Sequence, residues 1–105
     1  MATLRNQLVR RLEKVGVEDR ALPGRDGGFS SLYYGGKEFA HFHDDNEVDI
    51  RLTREIISSE GLVHPIDSRV HPSRSRNSHW IEVRLSKAAD IERLVHLVRL
   101  AIEQI

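Results

Sequence analysis

Residues 33–52 read YYGGKEFAHFHDDNEVDIRL, and this stretch decides how the rest of the chain can fold. The pair Gly35-Gly36 separates two strand-like runs, and both central positions of a tight two-residue hairpin turn need the positive φ that glycine adopts without strain. A short acidic turn follows, and residues 47–52 then alternate charged and apolar side chains, which is typical of a strand with one buried face. The stretch therefore predicts three consecutive strands joined by tight turns.

The sequence on either side adds helices and further strands. Apolar residues recur at helical spacing over residues 4–15 and 91–105, and a short helix is predicted over residues 54–60, between a capping Thr53 and a terminating Gly61. Residues 17–28 show no sustained period and are interpreted as a loop. Residues 62–78 contain prolines and several serines and are interpreted as a broken strand followed by a loop, whereas residues 79–85 alternate as a strand.

The predicted order is α-β-β-β-α-β-β-α, which indicates an α+β fold. We expect a single domain over residues 1–105, with one mostly antiparallel sheet and the helices packed on one of its faces. A chain of 105 residues has no room for a second core of its own.

The composition excludes several classes of protein. The absence of cysteine excludes disulfides, thiolate zinc sites and cysteine nucleophiles. Sixteen basic residues balance sixteen acidic ones, so no overall field favours nucleic acid or a membrane surface. The N-terminus lacks the apolar run of a signal peptide, and nothing approaches the ~20 apolar residues that span a bilayer. We therefore expect a cytoplasmic protein with no membrane partner.

Strand side chains alternate between the two faces of a sheet, so one buried residue fixes the facing of its neighbours. Val48, Ile50 and Leu52 form the apolar side of their strand. Since two histidines are costly to bury without hydrogen bonds, Ala40 and Phe42 are assigned to the core of the strand before it. The opposite face is expected to be open and to carry Phe39, His41, His43, Asp49, Arg51, Trp80, Glu82 and Arg84.

An open face of this composition is typical of a site for a small molecule or a peptide, although an inert face that meets water carries similar residues. The histidines His41 and His43 leave three interpretations open. Two imidazoles at i and i+2 can chelate a metal together with Asp49 or a later histidine, but the spacing alone is a weak signal and no metal ligand is assigned. His41 and Asp49 could instead form an acid–base pair, and the third interpretation is ordinary surface histidines.

Three arginines, Arg69, Arg74 and Arg76, lie close together in the segment before Trp80. A local basic patch can contact phosphate groups or nucleic acid. A segment rich in serine and arginine is more often simply solvated, and the zero net charge argues in the same direction. A nucleic-acid partner is therefore not expected.

Several of these motifs together resemble the luciferase-like domains, a family that contains small, mostly uncharacterised bacterial proteins and is named for its fungal light-emitting members. The motifs are Ala40-His41-Phe42-His43, Val48-Asp49-Ile50, a His/Pro/Ser segment from His71 to Trp80, and a Ser-x-x-Ala-Asp-Ile helix start. The resemblance covers residues 29–105 and implies that His41, Asp49, His71 and Trp80 occupy the family's positions. The chain departs from the family at His79, where a small residue usually precedes the tryptophan.

The fungal name implies an oxygenase that acts on a polyketide-derived luciferin, chemistry that a stand-alone domain need not share. The same layout, including Gly-Gly-Lys-x-Phe-Ala, is also similar to the YjbR/TfoX-like α+β proteins, some of which are suspected of binding nucleic acid.

The sequence thus supports three hypotheses. The first is a module that binds a small molecule or a protein partner on the open sheet face. The second is a small enzyme, either cofactor-free or metal-assisted, and the third is a nucleic-acid-associated module. No cofactor is assigned. The candidate site residues are His41 and Asp49 as catalytic groups and His43, Arg51, His71 and Trp80 as ligand-binding groups.

Overall fold

The helices and strands follow from a computed structural model, which describes residues 3–21 and 29–105. In chain order they are α1 (Leu4–Glu13), β1 (Glu18–Ala21), β2 (Ser30–Tyr34), β3 (Lys37–Phe42), β4 (Glu47–Arg51), α2 (Arg54–Ser59), β5 (Trp80–Arg84) and α3 (Ala89–Glu103). The predicted α+β class is confirmed. In the described part of the chain, no helix is long and apolar enough to cross a membrane.

The strands form one antiparallel sheet in the order β1-β2-β3-β4-β5. The predicted hairpin turn is confirmed, because Gly35 and Gly36 have φ values of 59° and 81° between β2 and β3. Across the sheet, His41 of β3 stands opposite Asp49 of β4, and Asp49 stands opposite Glu82 of β5. The strand register alone therefore brings these three polar side chains to neighbouring positions.

The apolar core lies between one face of the sheet and the helices α1 and α3. Ala40, Phe42, Val48 and Ile50 are fully buried, as predicted. The helices add Leu8 and Leu12 from α1, and Ile91, Leu94, Val95, Leu97, Val98 and Ala101 from α3. Full burial of one large apolar side chain contributes about 1.5–3 kcal/mol, so this face supplies most of the hydrophobic stabilisation.

The order of elements differs from the prediction in two places. Residues 18–21, interpreted as part of a loop, form the edge strand β1, and residues 22–28 of that loop lie outside the described residues. All four residues of β1 are exposed, so no alternation marks it. No strand forms between residues 62 and 78, where Pro65 accepts a backbone hydrogen bond from Ser68 in a local turn. The observed order is α-β-β-β-β-α-β-α.

Phe39 was expected on the polar face but lies in the core. It is 2 % exposed, and its neighbour Ala40 is fully buried. Leu32 pairs with Ala40 whereas Tyr33 pairs with Glu38, which leaves Phe39 as the extra residue of a β-bulge. A bulge breaks the strict alternation of a strand, and here it allows two consecutive residues to contact the core.

Candidate functional site

The sheet face opposite α1 and α3 is covered, and the prediction of an open face is wrong. Asp49 and Glu82 are 1 % and 2 % exposed. The covering segment is residues 62–79, which link α2 to β5. Ser68 donates a hydrogen bond of 3.0 Å to Glu82 Oε1, and Arg74 donates to both carboxylate oxygens of Asp49. The segment covers the face because its hydroxyl and guanidinium groups satisfy carboxylates that would otherwise need water.

Under this cover four side chains converge, and we call them the histidine cluster: His41, His43, Asp49 and His71. One nitrogen or oxygen atom from each lies within 4.8 Å of those of the others. His41 Nε2 is 3.3 Å from Asp49 Oδ2, and His71 Nε2 is 3.4 Å from the same oxygen. Two imidazoles, one from β3 and one from the covering segment, therefore face one carboxylate oxygen.

Asp49 is held in its ionised form. Burial raises the pKa of its carboxyl group, but hydrogen bonds from Arg74 and His41 outweigh burial and hold the pKa well below its usual range. The guanidinium group of Arg74 donates from both Nη atoms, with 2.8 Å between Nη2 and Oδ2. An ionised Asp49 can orient His41 or bind a cation, but it does not donate a proton near neutral pH.

Two backbone contacts hold His71 in place. Its N–H donates to Ser68 Oγ at 3.1 Å, and its carbonyl oxygen lies 2.8 Å from His64 Nε2. Ser68 is itself anchored on the buried Glu82 of β5. Burial, followed by the positive charge of Arg74, lowers the pKa of the His71 imidazole. A neutral imidazole keeps a lone pair available for a hydrogen bond or a metal ion.

His43 is the least satisfied polar group of the cluster. Its side chain is 4 % exposed, and neither ring nitrogen has a hydrogen-bond partner among the described residues. Nδ1 lies 3.6 Å from Glu47 Oε2 and 3.6 Å from Glu82 Oε1, which is beyond hydrogen-bonding range. Buried polar atoms without a partner are uncommon in folded proteins, so His43 requires an explanation.

Aromatic rings line the cluster. The rings of Phe29 and Trp80 each have their centroid 5.3 Å from that of His41, and Phe29 is stacked at an interplanar angle of 25°. Trp80 was expected at the site, whereas Phe29 was not. These apolar rings limit the access of water to His41, which strengthens its contact with Asp49.

A depression of about 620 Å³ adjoins the cluster, between α2, residues 62–78 and the start of β5. Trp80 and Arg74 line this depression, and the same two side chains contact His41 and Asp49. Its other walls include the apolar side chains Ile57, Leu62, Val63 and Ile66 and the charged side chains Arg54 and Arg76.

Arg51 does not reach the cluster. It is exposed and lines a separate depression with Lys37 and Glu38.

The three arginines that were considered as a basic patch do not act together. Arg74 is buried against Asp49, whereas Arg69 Nη2 lies 3.5 Å from Asp44 Oδ2. Within that patch only Arg69 and Arg76 remain exposed, so the nucleic-acid hypothesis rests on these two residues alone.

Sequence reasoning left two kinds of residue out of the site. Glu82 was placed on the same face as Asp49 but not in the site, and Glu47 alternates with Asp49 along β4, so strand alternation was the available signal. Arg74 lies in a segment without any period, so nothing local indicated that its partner is Asp49, 25 residues away in sequence.

The fold and this covered face define a small α+β domain with a partly buried cluster of imidazole and carboxylate groups. A family model described as Luciferase domain matches residues 36–101, which is more than half of the chain. The chain belongs to the Luciferase domain family, and the predicted resemblance is confirmed. The match includes the whole histidine cluster, Arg74 and Trp80. Comparisons with curated proteins and with solved structures gave no match.

Proposed function

We propose that this protein is a small-molecule-binding domain whose ligand occupies the depression beside the histidine cluster. The observation that carries the proposal is the shared wall between them: Trp80 and Arg74 line the depression and also contact His41 and Asp49. A volume of about 620 Å³ lies within the ~300–1,000 Å³ that is usual for ligand pockets. A bound molecule would therefore contact residues that are fixed by the cluster.

The walls favour a ligand with an apolar body and an anionic group. Val63 is 81 % exposed and Ile66 is fully exposed, so both present apolar surface that a ligand could remove from water. Arg54 and Arg76 line the same depression, and guanidinium groups bind carboxylate, sulfonate or phosphate groups through charge-assisted hydrogen bonds.

The sole tryptophan of the chain makes this proposal directly testable. Because Trp80 lines the depression, its fluorescence reports on occupancy. The probe is 8-anilinonaphthalene-1-sulfonate, which combines an aromatic body with an anion. We expect a saturable loss of Trp80 emission with one probe bound per chain.

Arg76→Ala should weaken probe binding roughly fivefold, which corresponds to ~1 kcal/mol for one partly exposed ionic contact. The matched control is Arg51→Ala, which removes an exposed arginine outside this depression and should leave the affinity unchanged. A loss of emission that does not saturate, or an equal effect of the two substitutions, would contradict the proposal.

The 3.3 Å approach of His41 to Asp49 supports a second candidate, a small enzyme that acts on the bound molecule. In it Asp49 orients the imidazole and His41 contacts the ligand. Binding without chemistry is better supported, because Trp80 rather than His41 lines the depression. Mass spectrometry of a compound that displaces the probe decides between them. If the protein is an enzyme, the parent protein converts the compound and the His41→Gln variant does not. If it is a binding domain, the compound is recovered unchanged.

A further inference from the structure

We propose that the histidine cluster is a binding site for a divalent transition-metal ion, with His41, His43, His71 and Asp49 as its ligands. The ligand atoms already lie within 4.8 Å of one another. Around a tetrahedral ion with bonds of ~2.0–2.2 Å, ligand atoms stand ~3.3–3.6 Å apart. Closing the remaining difference takes a movement of about 1 Å shared between two side chains, which is within the range of small rotamer adjustments.

Unpartnered nitrogens at the same place are the second, independent observation. Both ring nitrogens of His43 lack a hydrogen-bond partner among the described residues, and its side chain is 4 % exposed. His71 Nε2 is likewise buried without a hydrogen-bond partner in that part of the chain. Buried side-chain nitrogens in folded proteins are nearly always bonded to a partner. A metal ion would use one lone pair from each ring and so give a partner to His71 Nε2 and to one nitrogen of His43.

The surroundings of His43 resemble an outer ligand shell. Its Nδ1 is 3.6 Å from a carboxylate oxygen of Glu47 and of Glu82, which leaves Nε2 as the nitrogen for the ion. Metal-binding histidines commonly direct their second ring nitrogen at a carboxylate, which fixes the ring and makes it more basic. Nδ1 of His43 faces two such carboxylates at 3.6 Å, so a small approach of the ring would complete this arrangement.

The local charge favours a cation. The three carboxylates of Asp49, Glu47 and Glu82 are accompanied by the two guanidinium groups of Arg74 and Arg84. Three negative and two positive formal charges leave a net charge of −1 around the cluster. Arg74 uses only part of the acceptor capacity of Asp49, since an ionised carboxylate offers about four lone-pair sites.

The donor set selects the kind of metal. Three imidazoles and one carboxylate suit Zn²⁺, Co²⁺, Ni²⁺ or Fe²⁺, whereas Mg²⁺ and Ca²⁺ prefer shells made of oxygen. The inference is independent of the proposed function, because the cluster residues do not line the depression assigned to the small molecule. Either could fail without affecting the other.

Calorimetric titration of the chelator-treated, tag-free protein with Zn²⁺ tests the inference. We expect one ion bound per chain with a Kd in the micromolar range or below, and no binding of Mg²⁺ under the same conditions. His71→Ala should weaken Zn²⁺ binding about 100-fold. Loss of an outer-shell partner alone weakens metal binding ~10–100-fold, and His71 is proposed as a direct ligand. The matched control is His96→Ala in α3, which removes an exposed imidazole outside the cluster and should leave Zn²⁺ binding unchanged.

A second measurement uses the unmodified protein and does not depend on the folding of a variant. The chain has six histidines, and nitrogen-detected NMR of their side chains during the Zn²⁺ titration should shift His41, His43 and His71 selectively. The inference is overturned if Zn²⁺ produces no saturable heat, if His71→Ala binds as tightly as the parent protein, or if the shifts fall on His64, His79 and His96 instead.

Discussion

The carboxylate of Asp49 is almost completely buried, and such a charge is stable inside a protein only when its oxygens are well hydrogen-bonded. Arg74 meets this requirement by donating to both oxygens from a side chain that is 9 % exposed. The same contact ties residues 62–79 to the middle of the sheet. One arginine therefore satisfies a buried charge and holds the cover over the histidine cluster.

Arg74→Gln should destabilise the protein by about 3–5 kcal/mol, because it leaves the charge of Asp49 buried without its partner. Urea unfolding followed by the far-ultraviolet circular dichroism of the sheet and helices measures this difference. The matched control is Arg69→Gln, whose ion pair with Asp44 is formed by a side chain that is 80 % exposed and should contribute at most ~1 kcal/mol. Equal unfolding midpoints for the two variants would show that Arg74 is not the stabilising partner of Asp49.

At the scale of elements, prediction succeeded where a local pattern encodes burial. The alternation in β4 indicated its two faces, and the short turn before it placed His41 opposite Asp49. Edge strand β1 has no buried side and hence no alternation, so it could not be recognised. Residues 62–79 are held by contacts such as Ser68 to Glu82, which join positions far apart in the sequence. No periodicity encodes such contacts, and the covered face was therefore missed.

The junction between β4 and α2 contains a strained residue. Thr53 has φ 91° and ψ 150°, a region that glycine adopts far more readily than a β-branched residue. Its hydroxyl group accepts a hydrogen bond of 3.3 Å from the N–H of Ile56 and so caps α2. The helix carries Arg54 and Ile57 at the wall of the depression. The strain thus lies where the chain turns to build the proposed ligand site.

Thr53→Gly and Thr53→Ala should have opposite effects on stability. Glycine removes ~1–3 kcal/mol of backbone strain, loses only a few tenths of a kcal/mol of capping and adds under about 1 kcal/mol of unfolded-state entropy. Alanine keeps the strain and loses about 1 kcal/mol of capping. Urea unfolding should therefore rank Thr53→Gly at or above the parent protein and Thr53→Ala below it. A Thr53→Gly variant less stable than Thr53→Ala would show that the backbone here is not strained.

For the whole molecule, the two faces of the sheet are stabilised by different physical means. One face packs against α1 and α3 through apolar side chains. The other is covered by residues 62–79, whose backbone makes few hydrogen bonds of its own and which is held through ion pairs and hydroxyl contacts. Elements with many buried apolar contacts open only with global unfolding, whereas a segment fixed by a few polar contacts can open alone.

Native-state hydrogen exchange should therefore separate the two faces. Amides of β3, β4 and α3 should exchange with the free energy of global unfolding, whereas those of Ser68 and Arg74 should exchange through a local opening of lower free energy. Zn²⁺ should slow exchange in residues 62–79 more than in the strands, because it would bind His71 of the cover together with His41 of the sheet. If the cover and the strands exchange with the same free energy in the absence of metal, the cover is part of the cooperative core and access to the cluster requires global unfolding.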